Sequence, residues 1–500
     1  MAIIKLESTA EQKPYILSNG KAIISEDESR KMEIIASCKP EINKLTEGVG
    51  YSWDEAGFAQ IFAQCYEQDT KYCPEAKSWY TYSDGAWRLD TGSLLVSQKI
   101  KEFYQLLHLY CGEIKDMDRR DRFTKFTLKL GDRRFRDRLL KDAADDERLI
   151  ISLSRFDSNP YLINCRNGTF DLNTMTFREH DWRDYLTMQT AFDYTVKDVV
   201  FPRWEQFIDE VTQGDKEIAK YIQTALGYSM LGIACEECMF ILHGKTTRNG
   251  KSTLLNAIEH LLGDYASVAP VSIICKQGNK DAEAASPVLA ALKGRRFVTM
   301  SESNQYGKMD EETLKLLTGG EEITTRALYQ TPTTWLPQFT LWLSCNDLPA
   351  VNDRSLFASE RLKVIEFNRH FSAEEQDKSL KTLFSSQEAM QGIFSWMIKG
   401  YFHYKRFGLK MPEQMVEVVR NYQRDNDYVL MFLEEKCEGN CGEDTEKRVL
   451  YDAYRMWCKC NNYYAFSAKR FYAELDTHPE WHGGQITEDG RSVYKNLKLR

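Results

Sequence analysis

Residues 244–253, GKTTRNGKST, bring two glycines, two lysines, a serine and three threonines into one short stretch. Those residue types can hold a phosphate chain. Backbone N–H groups of a glycine loop approach the oxygens, a lysine reaches the β- and γ-phosphates, and a serine hydroxyl takes Mg²⁺. The nucleotide-binding candidates are Gly244, Arg248, Asn249, Gly250, Lys251, Ser252 and Thr253, with Ser252 also a metal ligand. The spacing departs from the usual pattern in one respect, since five residues rather than four separate Gly244 and Gly250. Three further residues fit hydrolysis. Glu302 could polarise water or hold the metal shell, and Asn346 could orient the same water or sense the γ-phosphate. Arg361, with Arg354 nearby, could neutralise charge in the transition state.

The surrounding pattern is that of a parallel α/β layer. Met239 to Leu242 is a short apolar run that reads as a buried strand, leading into the glycine loop. The helix opened by Lys251-Ser252-Thr253 shows its apolar face at Leu254, Leu255, Ile258, Leu261 and Leu262, and Gly263 is placed to stop it. Phe297–Met300, Thr340–Ser344 and Lys363–Phe367 are further strand candidates, and Glu302 and Asn346 follow the ends of the first two. Polar residues at the C-terminal ends of such strands mark the ligand edge of the sheet. On this pattern the strand ending at Glu302 is expected beside the glycine-loop strand.

Beyond these positions a resemblance becomes specific. GKTTRNGKST, RRFVTMSES (295–303), KLLTGGEEITTRALYQ (315–330), LWLSCNDLP (341–349) and ASERLKVIEF (358–367) resemble the superfamily 3 helicase core. The similarity is greatest to the phage and plasmid primase-helicase group related to the poxvirus primase-helicase. WYTYSDGAWRLD (79–90), NCRNGTFDL (164–172) and ALGYSMLG (225–232) extend it over roughly residues 50–500. The resemblance implies an AAA+-like P-loop NTPase that uses ATP and Mg²⁺. It would assemble as a homo-oligomer, a hexameric ring, and translocate on single-stranded and forked duplex DNA during replication. Lys251 and Ser252 would then contact ATP and metal, Glu302 would be the motif B acid, and Asn346 the motif C sensor. Arg361 would be an arginine finger acting on a neighbour's ATP. A pore hairpin between Thr318-Gly319-Gly320 and Leu341 would grip DNA. That hairpin, 330–339, carries no lysine, so its grip would rest on Arg326, Trp335 or backbone groups. The family often has two arginines where this chain has Glu360-Arg361.

The 500 residues divide on this reading into a partly ordered lead-in (1–45), an α+β N-terminal domain (46–195), the ATPase (196–410) and a winged-helix-like C-terminal domain (411–500). The last follows from helix, helix and a hairpin around Asp489-Gly490, with Lys469 and Arg470 exposed on the second helix for DNA and Val449, Leu450, Ala453, Tyr454 and Trp457 on one face of the first. Asp84-Gly85 signals a type I′ hairpin. Ten Lys/Arg crowd residues 119–141, either as a DNA-tracking surface or as a solvated face neutralised by Asp118, Asp121, Asp132 and Asp137.

The net charge of −8 argues against a generally basic nucleic-acid binder, so DNA contacts must be local. No apolar run approaches membrane-spanning length and the N-terminus lacks a signal-peptide core, which points to a cytoplasmic protein, in a bacterial host if phage-encoded. The cysteines at 437, 441, 458 and 460 lack zinc-type spacing, because Cys458 and Cys460 would point apart on a helix. Primase chemistry would need an acid pair at the end of an apolar strand, and neither Asp116/Asp118 nor Asp425/Asp427 follows one. Two other functions fit the same motifs: a mobile-element replication initiator that binds an origin through the C-terminal domain, and a nucleotide-gated structural ring with little turnover.

Overall fold

The apolar runs of the ATPase stretch all become strands of one sheet. In the computed structural model, which describes residues 26–37, 54–275, 287–301, 308–326, 332–351, 355–461, 463–488 and 491–500, the chain forms two units. The first ends at Asn159 and also takes in residues 166–169 and 178–188; the second holds the remainder up to Arg500.

The first unit contains α1 (Glu26–Ser37), α2 (Glu55–Tyr66), an antiparallel sheet of β1 (Thr70–Cys73), β2 (Ser78–Ser83) and β3 (Ala86–Asp90), and then α3 (Leu94–Glu113), α4 (Met117–Thr127) and α5 (Arg133–Ala143). The Asp54 carboxylate caps α2 by accepting from the Gly57 N–H at 2.8 Å. Asp84 and Gly85 both have positive φ, 49° and 78°, the type I′ geometry that the Asp-Gly pair predicts. Phe58, Phe62, Tyr66, Phe103 and Phe123 fill the core, with Phe62 and Tyr66 stacked at 4.7 Å. Within the partly ordered lead-in expected over 1–45, the charged residues from Glu26 onward start α1. The Lys31 ammonium lies 2.6 Å from Asp27 and 3.2 Å from Asp69, and its neighbour Ile35 is buried. Three short strands follow, β4 (Leu162–Cys165), β5 (Gly168–Asp171) and β6 (Thr176–Arg178), whose residues divide between the two units.

The second unit opens with α6 (Pro202–Val211) and α7 (Lys216–Tyr228). The α/β layer then runs β7 (Met239–His243), α8 (Lys251–Leu262), β8 (Ala266–Val268), the single turn α9 (Pro287–Ala290), β9 (Phe297–Ser301) and α10 (Glu311–Thr318). It continues with β10 (Ile323–Thr325), β11 (Thr333–Trp335), β12 (Thr340–Cys345), the turn α11 (Ser355–Ala358), β13 (Leu362–Glu366), the turn α12 (Leu380–Leu383) and α13 (Gln387–Phe407). The main sheet has the order β13-β7-β12-β9-β8, with every neighbouring pair parallel. All of β7 and β12 is buried, as strands covered on both faces must be.

This order corrects one expectation. The strand that leads toward Glu302, β9, is not beside the glycine-loop strand; β12, which ends at Cys345 just before Asn346, lies between them. Both strands are apolar runs followed by polar residues, and pairing partners are fixed by long-range packing that neither run encodes locally.

Helices α7 and α13 cross with their backbones in contact. A Cβ at Gly227 would lie 2.2 Å from Tyr401 N, and one at Gly400 would lie 1.9 Å from Gln223 O. That crossing packs α7 under the sheet, where Trp342 stacks on Phe240 at 4.4 Å and donates Nε1–H to Ser229 Oγ at 3.0 Å. On the sheet's other face Met239, Ile241, Leu341 and Leu343 join a core that includes Tyr422.

The remainder of the unit is α14 (Glu413–Asp425), α15 (Tyr428–Lys436), β14 (Cys437–Gly439), β15 (Thr445–Glu446), α16 (Lys447–Cys460), α17 (Ala468–Leu475), β16 (Gln485–Glu488), β17 (Arg491–Tyr494) and β18 (Leu497–Leu499). β15, β17 and β16 form one small antiparallel sheet, and β14 pairs with β18. Leu450, Tyr454 and Trp457 of α16 enter this core together with Phe432 and Phe471. Val449 does not, and is 49% exposed: it sits one position off the inward stripe. Among the described residues no helix is long and apolar enough to cross a membrane.

Candidate nucleotide site

The glycine loop leaves β7 at the C-terminal edge of the sheet. Its first glycine has no room for a side chain, since a Cβ at Gly244 would fall 2.4 Å from Asn249 Nδ2 and 2.6 Å from Phe367 O. Its last, Gly250, has φ +91° and caps α8 without a side-chain acceptor. The first N–H groups of α8 are therefore offered to the space ahead of them, at the positive end of the helix dipole. The loop is held from behind. Phe371 N donates to Arg248 O at 3.0 Å, His370 Nδ1 lies 2.9 Å from Thr247 O, and Asn249, 4% exposed, donates to Thr246 O at 2.6 Å.

Lys251 is 6% exposed although it carries an ammonium. Its Nζ donates to Gly244 O at 3.0 Å and to Asn346 Oδ1 at 2.9 Å. Asn346 reaches it because β12 pairs directly with β7, with Cys345 opposite His243. The corrected strand order is therefore what places Asn346 against the lysine. His243, at the end of β7, has its imidazole pKa held below the ordinary value by burial, outweighing the Glu366 carboxylate 3.9 Å from Nδ1.

Arg248, Asn249, Gly250, Lys251, Ser252 and Thr253 line one cleft of about 480 Å³. Its other walls come from Arg203, Phe207 and Glu210 of α6 and from residues 371–381. The acids in these walls are committed elsewhere: Glu210 pairs with Arg203 at 3.3 Å, Glu375 with Arg369 at 2.6 Å, and Asp377 accepts from Ser379 N at 2.9 Å. Lys378 and Lys381 are exposed. The cleft thus offers cations, an open helix N-terminus and the apolar surfaces of Phe207, Phe371 and Leu380, a set that suits a polyanion with a flat organic end. The α6 and 371–381 walls were not legible in the sequence, because no motif marks them and they meet the loop only through the fold.

Glu302 and Arg354 lie outside the described residues. β9 ends at Ser301, opposite Ser344, and lies two strands from β7, roughly 10 Å at ordinary strand spacing.

Arg361 is placed at the other edge of the sheet. It precedes β13, whose Leu362 pairs with Met239, the first residue of β7. The glycine loop starts five residues farther along that strand, roughly 16 Å at the rise of a parallel strand. The side chain is 13% exposed, forms an ion pair with Glu237, and donates from Nη1 to Thr318 Oγ1 at 2.8 Å. Arg361 is therefore not brought together with Lys251 of the same chain.

The DNA candidates separate likewise. β10 and β11 pair antiparallel, with Ile323 opposite Trp335, so the hairpin spans 323–335 rather than 330–339, and its tip at 327–331 lies outside the described residues. Arg326 is exposed at the mouth of that tip. Trp335, expected to meet DNA, is instead a core residue: it is 6% exposed and its Nε1–H is satisfied by Thr325 Oγ1 at 2.8 Å. A tryptophan at the base of a hairpin packs inward when a cross-strand hydroxyl takes its only donor. Lys469 and Arg470 are exposed on α17, and Arg470 lies over the Phe466 ring at 4.1 Å.

The family description "D5 N terminal like" matches residues 59–213, "Poxvirus D5 protein-like" matches 424–496, and a family of unknown function, DUF5906, matches 242–361. The chain is 27% identical over 419 residues to "Putative helicase L207/L206" of Acanthamoeba polyphaga mimivirus, covering 77% of this chain and 43% of that protein. It is 24% identical over 347 residues to "Putative helicase 121R" of Invertebrate iridescent virus 3, covering 63% and 36%. The chain thus spans less than half the length of either relative. Among solved structures, the apo NrS-1 C-terminal region aligns over 86% of this chain and 96% of that one, at 10% identity and a TM-score of 0.46. With D5-type family descriptions matching 59–213 and 424–496 and helicase-named viral relatives, the chain is similar to the primase-helicase group related to the poxvirus D5 protein.

Proposed function

We propose that this chain is the motor of an ATP-dependent DNA helicase that acts in the replication of a virus or mobile element and works as a ring on single-stranded DNA. The observation that carries this reading is the buried Lys251 ammonium, held between Gly244 O and Asn346 Oδ1 ahead of an uncapped helix N-terminus. On this reading residues 244–253 are a P-loop. ATP with Mg²⁺ would supply a phosphoanhydride whose cleavage drives movement. Gly250 and the first N–H groups of α8 hold the phosphates, Lys251 neutralises them, and Ser252 and Thr253 lie beside them for the metal. Asn346 keeps Lys251 oriented and stands at the strand end where an attacking water belongs. Glu302, as motif B acid, would act as base or metal partner from the segment that follows β9.

Arg361 lies too far along the sheet to serve its own P-loop, so a finger role for it requires a neighbouring subunit. The 428–499 elements have the helix, helix and hairpin sequence of a winged helix, with Lys469 and Arg470 on its second helix facing solvent. Arg326 is the exposed cation nearest the tip of the pore hairpin.

The test is steady-state ATP hydrolysis with and without single-stranded DNA, for the wild type and Lys251→Ala. Hydrolysis that rises with DNA and disappears in a folded Lys251→Ala protein is expected. Equal turnover in the two proteins would refute the site, and absent turnover in the wild type would favour a nucleotide-gated structural ring.

A further inference from the structure

The ten Lys/Arg of residues 119–141 lie on α4, α5 and the turn between them, all within the first unit. Four aspartates are interleaved and would neutralise a merely solvated face. The structure gives them other positions. Asp132 caps α5, accepting from Arg134 N at 2.9 Å. Asp137 comes no nearer than 3.9 Å to Arg133 Nε. Asp118 and Asp121 enter no ion pair among the described residues.

The cations meanwhile form two exposed stripes. Arg122, Lys125 and Lys129 recur at helical spacing through α4 and the following turn, and Arg134, Arg138 and Lys141 recur at i, i+4 and i+7 on α5. Each spans roughly 10 Å along its helix. Of these six only Arg138 is ion-paired among the described residues, with Glu55 at 2.6 Å. The phenylalanines of the stretch are taken up by the core or by these cations: Phe123 and Phe135 are buried, Phe126 is half-buried and stacks on Phe58 at 5.1 Å, Lys129 lies over the Phe126 ring at 4.2 Å and Arg138 over the Phe135 ring at 5.8 Å. The exposed face therefore carries positive charge with no aromatic platform for unstacked bases.

We infer that α4 and α5 form a DNA-binding surface separate from the motor, which holds the phosphate backbone of duplex DNA without reading its bases. Charge without stacking groups favours a paired strand, because single-strand binders add aromatic side chains to their basic grooves. The surface is independent of the nucleotide site and stands whether or not the chain hydrolyses ATP.

The test uses the full chain carrying Arg122→Gln, Lys125→Gln, Lys129→Gln, Arg134→Gln and Lys141→Gln together, with fluorescence anisotropy of a labelled 30-base-pair duplex read across a salt series. Affinity should fall by about tenfold or more at low salt. The slope of log affinity against log salt should drop by about 0.9 for each phosphate that the variant no longer neutralises. A companion protein with Lys125→Arg, Lys129→Arg and Lys141→Arg should keep the wild-type affinity, slope and melting temperature. Unchanged affinity and slope in the five-fold variant would overturn the inference. So would a loss confined to single-stranded oligonucleotide, or an equal loss in the arginine companion. DNA-free ATP hydrolysis should be the same in all three proteins, which separates this surface from the motor.

Discussion

Replacing Asn346 by aspartate puts a carboxylate where a neutral amide now accepts from Lys251 at 2.9 Å. A hydrogen bond between an amide and an ammonium contributes about 1.5–3 kcal/mol. A carboxylate at the same distance interacts with about 6 kcal/mol at an effective dielectric of 20, from which several kcal/mol of desolvation must be subtracted. The net gain for the lysine–aspartate pair is then a few kcal/mol at most, roughly 1.4–2.8 above the native contact. On the proposed reading Lys251 must leave Asn346, at least in part, to meet phosphate. Asn346→Asp should therefore raise the melting temperature while weakening nucleotide binding about 10- to 100-fold. Asn346→Ala should instead give slightly lower stability, near-native binding, and a loss that falls on turnover. Equilibrium titration with a fluorescent ATP analogue, beside thermal melts of the same samples, reads both quantities. If Asn346→Asp binds nucleotide like the wild type, or melts lower than Asn346→Ala, the contact is not the resting position of the lysine and the reasoning fails.

Gly400→Ala should destabilise the second unit by about 3 kcal/mol, because its Cβ would meet the Gln223 carbonyl, whereas Gly112→Ala on α3, where nothing lies within 4 Å, should be neutral or stabilising; urea midpoints distinguish the two. His243 is held neutral by burial, with Glu366, Lys251 and Lys245 as the charges around it, so its folded pKa lies below 6.5. The unfolded chain then takes up a proton that the folded one refuses, and stability present above pH 6.5 should decline as pH falls below it; His243→Asn should flatten that decline in denaturation curves. If Arg361 serves a neighbour's nucleotide, wild-type hydrolysis per subunit must drop on dilution as the assembly dissociates, and Arg361→Ala must bind ATP without cleaving it; constant specific activity in a monomeric sample would exclude the role.

The sequence made the core of the site visible because parallel strands buried on both faces read as apolar runs, and because GKST opens a helix with a clear apolar stripe. Leu254, Leu255, Ile258, Leu261 and Leu262 are all buried, and Gly263 ends the helix at φ +55°. Strand order was not visible, since β9 and β12 look alike locally. Trp335 misled for a related reason: an aromatic residue in a hairpin fits a solvent or a core position equally well until the acceptor of its indole N–H, Thr325 on the facing strand, is known. The contact between Arg361 and Glu237 joins residues 124 apart in sequence, and no periodicity announces it. The aspartates near Arg119–Lys141 show the same limit on a smaller scale, because an Asp before a helix can pair with a cation or cap a backbone, and composition does not choose between them.

The polarity of the sheet constrains how this chain could work with copies of itself. In a parallel sheet every strand enters at one edge and leaves at the other, so the residues before a strand and the residues after it are held apart by the strand's own length. β7 and β13 are hydrogen-bonded neighbours with Met239 opposite Leu362, which fixes the glycine loop at one edge and Arg361 at the other. No rotamer change brings them together within a chain, but a head-to-tail contact between two chains would, and such heterologous contacts close into rings when their rotation permits. Arg361 would also have to give up Glu237, a residue 51% exposed and so open to a neighbour's approach. On the proposed reading that exchange gives assembly a chemical consequence. The arginine rests on its own glutamate in the separate chain and turns to the neighbour's nucleotide in the ring, so that hydrolysis waits on the interface.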